Sequence, residues 1–222
     1  MKNILLVGAN SSVAKDLFAK YEKKYNFFRL SRNEEISDVK TFNVLDESTY
    51  FNPTNTKFDG LVYFPGTINL KPFQSLKVSD YQNDFNINFI GLIKILKFYK
   101  PFLNSNSSCV FFSTVAAKKG MPFHASVSSV KSAIIGLTKS LAAEWAPNHR
   151  VNCILPSIFT SEMSNKILRN DKVKEKINAN HPLKRYGNFS DISSVVNFLL
   201  SDHSSWITGQ DISVDGGMST LK

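Results

Sequence analysis

The chain has 222 residues, enough for one domain with a full core, and it shows neither an arginine-rich stripe nor a nucleic-acid-binding motif. Its formal charge of +9 comes from lysines scattered among Asn, Asp and Glu, which reads as a solvated surface rather than a face for a polyanion. No apolar run approaches bilayer length, no signal-segment layout opens the chain, no Cys/His/Asp cluster has metal-ligand spacing, and Cys109 and Cys153 sit in apolar runs as reduced thiols, so a cytoplasmic protein without membrane, nucleic-acid or metal partners is expected.

In chain order, residues 3–7 form an apolar run ending at Gly8. Ala9-Asn10-Ser11-Ser12-Val13-Ala14 follows, and Val13, Leu17, Phe18 and Tyr21 recur at helical steps. A strand, a glycine turn and a helix in this order aim backbone N–H groups at a phosphate, though an ordinary strand–helix turn looks the same. Residues 26–30 read as a second strand, followed by Ser31-Arg32. No acidic residue stands there to bind a ribose 2′-hydroxyl; Arg32 suits a 2′-phosphate, or is an exposed loop arginine. From Arg32 to Val39 only about eight residues remain before a third strand at 40–44, so the intervening helix is a single turn or absent. Residues 59–66, DGLVYFPG, give a fourth strand and its loop. A long helix is predicted over 79–100, with apolar Ile87, Ile90, Ile93, Leu96 and Phe98.

Cys109 to Phe112 is a short strand ending at Ser113-Thr114. After a small-residue loop, Val127, Val130, Ile134, Leu137 and Leu141 mark a long amphipathic helix. Residues 150–163, RVNCILPSIFTSEM, are a sixth strand and its loop, and 164–190 are polar and lysine-rich with a weak helical pattern. Asp191 to Leu200 is a helix, and Trp206-Ile207-Thr208-Gly209-Gln210 leads into Ile212-Ser213-Val214-Asp215-Gly216-Gly217. There is no repeat or linker, so residues 1–222 are expected to form one domain. The alternation of strands and amphipathic helices predicts an α/β fold: a doubly wound, Rossmann-like parallel sheet, three layers deep.

The segment from Cys109 to Trp145 resembles the short-chain dehydrogenase/reductase family. That family carries a Ser after this strand, a Tyr thirteen residues on, and a Lys four residues later. Counting back from Lys131 gives Val127 at the Tyr position and Thr114 at the Ser position. The rest of the chain is similar over nearly its whole length. Of three loop glycines only Gly8 remains, with Ser12 and Ala14 at the other two places. Asn43-Val44 stands at an Asp-Val pair that contacts adenine. Tyr63-Phe64-Pro65-Gly66 replaces Asn-Asn-Ala-Gly, keeping only Gly66. Asn88 falls where an Asn distorts the helix and helps hold a water bridging to the Lys. Pro156-Ser157 replaces Pro-Gly, and Ser161 aligns with a Thr that contacts the nicotinamide carboxamide. The terminal strand matches very closely, and in the family it packs at oligomer interfaces.

The resemblance implies a nicotinamide nucleotide held by Gly8, Asn10, Ser12, Val13, Arg32, Asn43, Val44, Gly66, Lys131 and Ser161, with NADP(H) favoured over NAD(H). The short connection after Arg32 leaves the adenine side more open. It also implies catalytic roles for Asn88, Thr114 and Lys131, a substrate lid over 157–190, a small carbonyl or hydroxyl substrate, and a dimer or tetramer. The missing Tyr is the departure. General acid catalysis contributes about 10²–10⁴-fold, and Val127 cannot carry a proton. His124, seven residues before Lys131, is either a donor or a loop histidine; Lys131 or a water is another route, with Thr114 donating to the carbonyl oxygen. Two readings stay open: an NADP(H)-linked oxidoreductase with a non-standard acid, and a cofactor-binding pseudoenzyme acting as a partner subunit or sensor.

Overall fold

The computed structural model describes residues 1–32 and 39–221; the predicted turn or absent helix between Arg32 and Val39 lies outside them. Seven strands form one parallel sheet: β1 (Lys2–Val7), β2 (Tyr25–Ser31), β3 (Val39–Thr41), β4 (Phe58–Tyr63), β5 (Leu103–Phe112), β6 (His149–Pro156) and β7 (Asp211–Val214). Their order across the sheet is β3-β2-β1-β4-β5-β6-β7, so the winding reverses between β1 and β4.

The apolar run of β1 is continuous because both its faces are buried. Ile4 and Leu6 pack beneath α1 (Ser12–Tyr21) and α6 (Phe189–Leu200). Leu5 and Val7 join the opposite core with Leu92, Ile95 and Leu96 of α3 (Gly91–Tyr99) and Ile134 of α4 (Ala125–Trp145). Caps fix the helix starts: the Ser11 hydroxyl accepts from Ala14 N–H at α1, and Asn188 with Asp191 forms a capping box at α6.

Two elements differ from expectation. The third strand spans only 39–41 rather than 40–44. Phe42 and Val44 are buried, which made this stretch look like a strand, but Asn43 Oδ1 accepts from Leu45 N–H and Asp46 N–H bonds the Asn43 carbonyl, turning the chain out of the sheet. β5 begins six residues before Cys109, in Leu-Asn-Ser-Asn-Ser-Ser. Its buried serines are paired, Ser107 with His149 Nδ1 at 2.8 Å and Ser108 donating to the Leu199 carbonyl at 2.7 Å, so a polar sequence occupies a central strand without stranded groups.

The long helix forms as α2 (Val78–Phe85) and α3, joined by a π-helical turn at Asn86–Ile90. A weak polar segment also becomes a helix, α5 (Asp171–Asn180), capped by Asn170. Among the described residues no helix is long and apolar enough to cross a membrane, and no group of His, Cys, Asp or Glu could hold a metal ion.

Candidate active site

A cavity of about 500 Å³ opens at the carboxyl ends of β1, β4, β5 and β6, beside the point where the winding reverses. Open parallel sheets bind ligands there because the loops diverge and helix N-termini converge.

The β1–α1 turn forms one wall. Gly8 has φ +84°, and a Cβ there would lie 2.9 Å from Pro65 Cδ, so the position demands glycine. Gly8 and Ala9 both donate to the Leu30 carbonyl, which anchors the turn to β2. Ser12 and Val13 then open α1 and line the cavity, directing the helix N-terminus toward it. Asn10 Oδ1 is buried in this turn with no hydrogen-bond partner among the described residues. A glycine turn, a helix N-terminus and an unpaired amide oxygen fit a nucleotide's phosphates and ribose.

Asn88 sits at the centre of the π turn and is fully buried. Its amide donates to Thr67 Oγ1 at 3.0 Å and to the Asp84 carbonyl at 2.8 Å. Its Oδ1 has no partner among the described residues and would lie 2.9 Å from a Cβ at Gly66. The same Cβ would come within 3.5 Å of Lys131 Nζ. Gly66 thus keeps a gap into which an acceptor-only oxygen and an ammonium both face. The aromatic pair Tyr63-Phe64 at the end of β4 stands where the resemblance expects two amides. Tyr63 donates to the Ile87 carbonyl in the π turn at 2.6 Å, and Phe64 stacks on Phe112 at 5.2 Å.

Asp84, buried on α2, ties these parts to α4. Its oxygens accept from Thr67 Oγ1 at 2.5 Å, Asn69 Nδ2 at 2.9 Å and Ser126 Oγ at 2.6 Å. Ser126 directly precedes Val127, so this carboxylate sets where α4 begins. Asp84→Ala is expected to strand three donors and destabilise the protein by about 2–4 kcal/mol. Calorimetric melting should show a fall of roughly 5–15 °C, and an unchanged midpoint would contradict this role.

Val127 and Lys131, one turn apart on α4, both line the cavity. Burial pushes the Lys131 ammonium down to about 8, against the opposing pull of Cys153 and Asp84. Lys131 Nζ donates to the Phe112 carbonyl at 3.0 Å, and Ser113 Oγ donates to the Lys131 carbonyl at 2.9 Å, fixing α4 against β5. Thr114 Oγ1 accepts from Ala116 N–H at 3.3 Å, and the residue lines the cavity. His124 caps α4 without a side-chain cap bond; its Nδ1 lies 2.7 Å from the Pro122 carbonyl.

The cavity therefore gathers Ser12, Val13, Gly66, Asn88, Thr114, His124, Val127, Lys131 and Ser161. The Ser161 hydroxyl is engaged with Ser164 in its own turn. Gly8 and Asn10 of the turn, Arg32, which is exposed, and Asn43 and Val44 do not line it, and Val44 packs into the core. The rest of the lining is mostly apolar and includes Met121, Met163 and Met218, every methionine except Met1. His181, which sequence reasoning did not single out, is buried at the end of α5 and pairs with Ser157 at 2.9 Å. Its only sequence signal was a serine where the resemblance expects glycine after Pro156.

The family profile described as Enoyl-(Acyl carrier protein) reductase matches residues 50–219. A tropinone reductase homolog of Datura stramonium is 32% identical over 189 residues, 82% of this chain and 70% of that protein. Short-chain dehydrogenase/reductase SDRA of Arabidopsis thaliana is 35% identical over 147 residues, 66% of this chain and 58% of that protein. The chain spans only 50–58% of the length of several of the curated relatives it matches. Among solved structures, ElxO with NADP bound superposes with a TM-score of 0.87 at 24% identity, covering 98% of this chain and 99% of that one.

Proposed function

Because the chain belongs to the short-chain dehydrogenase/reductase family, we propose that it moves hydride between a nicotinamide nucleotide, NADP(H) in preference to NAD(H), and the carbonyl or hydroxyl carbon of a small apolar substrate. The observation that carries this reading is the buried Lys131 beside the Gly66 gap, facing the unpaired Asn88 oxygen and sharing one cavity with the N-terminus of α1. At that depth burial disfavours the Lys131 charge, a cost that a ligand accepting from the ammonium would offset.

A bound nicotinamide would supply or accept the hydride. Ser12, Val13 and the α1 N-terminus would hold phosphate oxygens, and Asn10 is within the same turn. Lys131 would donate to ribose hydroxyls, and Ser161 would meet the carboxamide. Arg32, with no acidic residue beside it at the end of β2, supports the 2′-phosphate form, and ElxO supplies a precedent for NADP on this fold. Thr114 would donate to the substrate oxygen, fixing the carbonyl for attack. Apolar walls built from Phe64, Ile68, Leu70, Phe112 and the three methionines suit a flexible hydrocarbon rather than a polyol, because thioether side chains repack around varied shapes. Residues 157–190 would act as the lid, and a homo-oligomer is expected.

The hydrocarbon at Val127 favours a second reading, a nucleotide-binding pseudoenzyme that serves as a partner subunit or sensor. Purified protein, NADPH and a panel of aliphatic ketones and aldehydes separate the two. Oxidation of NADPH, slower with NADH, is the expected result; tight nucleotide binding with no oxidation on any member of the panel would leave only the pseudoenzyme.

A further inference from the structure

The missing phenol leaves the substrate oxygen without a proton source, and a serine–histidine pair stands on the same cavity. Ser157 is the first residue after β6. Phe112 pairs with Ile154, and Ser113 N–H bonds the Ile154 carbonyl at 2.9 Å. Thr114 and Ser157 follow the ends of these two neighbouring strands, and both line the cavity. Ser157, Thr114, Val127 and Lys131 line one wall-to-wall space.

His181 is 2% exposed. Its Nδ1 lies 2.7 Å from the Ile177 carbonyl, which can only accept, so Nδ1 carries a hydrogen. In the neutral ring Nε2 is then a lone pair, and Ser157 Oγ lies 2.9 Å from it. Met218 Sδ, 3.0 Å from the same hydroxyl, is the weaker acceptor. A side chain that can exchange a proton, oriented by a third group and holding a hydroxyl, is the arrangement of an activated donor–base pair. His181 and Ser157 also line a second cavity of about 210 Å³ behind the first, so the ring forms part of the partition between them. The charged groups around it are Asp215 and the Arg185–Asp191 ion pair on the far side, and Lys131, Glu162 and His124 across the main cavity.

The geometry points to Ser157 as the catalytic proton donor that replaces the phenol absent at Val127, with His181 as the relay that recharges it from the second cavity. The inference rests on the oxidoreductase reading above. In reduction, a bound dihydronicotinamide would supply hydride to the carbonyl carbon, and Ser157 would give its proton to the carbonyl oxygen, whose C=O π pair forms the new O–H bond. Protonated His181 returns a proton through Nε2 to the serine alkoxide and is left neutral; the one proton that the reduction takes up from solvent then recharges it. Alcohol oxidation runs the same steps backwards, the proton ending on His181.

The test combines two-bond ¹⁵N NMR of the nucleotide-free protein with kinetics of Ser157→Ala and His181→Ala. NMR at a pH where the ring is neutral is expected to show His181 protonated at Nδ1 with Nε2 as an acceptor; a neutral ring carrying its hydrogen on Nε2 overturns the inference whatever the turnover. Each substitution is expected to lower ketone reduction by about 100-fold or more with the NADPH dissociation constant unchanged. Imidazole should restore at least about tenfold to His181→Ala and nothing to Ser157→Ala, a response that a merely structural histidine would not give. Ser157→Ala keeps the question answerable if His181→Ala fails to fold. Near-native turnover in Ser157→Ala, a matching loss of nucleotide affinity, or loss in His124→Ala instead would each overturn the assignment. A native protein that binds NADPH but reduces nothing defeats the underlying reading and this one with it, whereas active protein with an indifferent Ser157 defeats this one alone.

Discussion

Val127→Tyr is expected to restore ketone reduction by about 10²–10⁴-fold in a protein disabled by Ser157→Ala, the range general acid catalysis contributes. Val127 is 3% exposed, lines the cavity and lies one helical turn before Lys131, so a tyrosine there points along the same face into space the cavity already has. The Lys131 ammonium beside it would hold the phenol below its ordinary range. In the otherwise native chain the gain is expected to be about tenfold or less, because a donor is already present. Steady-state rates of the single and double variants measure both. Equal large gains in both backgrounds would show that Ser157 contributes no proton, and turnover appearing only with the new tyrosine would identify the native chain as a pseudoenzyme.

Lys131→Met is expected to move binding and stability in opposite directions. Removing a charged donor from ribose hydroxyls should weaken NADPH by about 10–100-fold, since such hydrogen bonds contribute about 1.5–3 kcal/mol. The apo protein should become more stable at neutral pH. Burial penalises the charged form and pushes the folded-state ammonium from its ordinary 10.5 down to about 8. Below about 8 both states are charged and the penalty is fully present. From about 8 to 10.5 the unfolded chain keeps a proton that the folded chain has lost, so native stability rises with pH. Above that window neither state is charged. The shift corresponds to about 3 kcal/mol at most, and the Phe112 carbonyl loses its donor, so a net gain of about 1–2 kcal/mol is expected. Melting curves should show the variant several degrees above native at pH 7 and the difference closing toward pH 10.5. A variant less stable at pH 7, or one that binds NADPH as tightly as native protein, would contradict this role.

Much of the fold was legible because parallel strands buried on both faces read as continuous apolar runs, as in Ile4 to Val7 and Cys153 to Leu155. Polar stretches were harder. The first half of β5 carried no strand signal because its burial depends on distant partners, His149 and the Leu199 carbonyl, that no local pattern reveals. The third strand erred the other way: Phe42 and Val44 are apolar for the core, not for the sheet. In the site, Lys131, Thr114 and Val127 were found by fixed spacing along one strand–helix unit. Asp84 and Ser126, 42 residues apart, and Ser157 and His181, 24 apart, come together only through tertiary packing. The distortion expected at Asn88 appears as the π turn, and its outlying amide oxygen is what a sequence pattern could not supply.

On the proposed function, this scaffold receives a nicotinamide nucleotide through Gly8, the α1 N-terminus and Lys131. Isothermal titration of the purified chain with NADPH is the decisive experiment. One site with a dissociation constant in the micromolar range, roughly −8 kcal/mol, is the predicted result. No heat from either dinucleotide at millimolar concentration would contradict it.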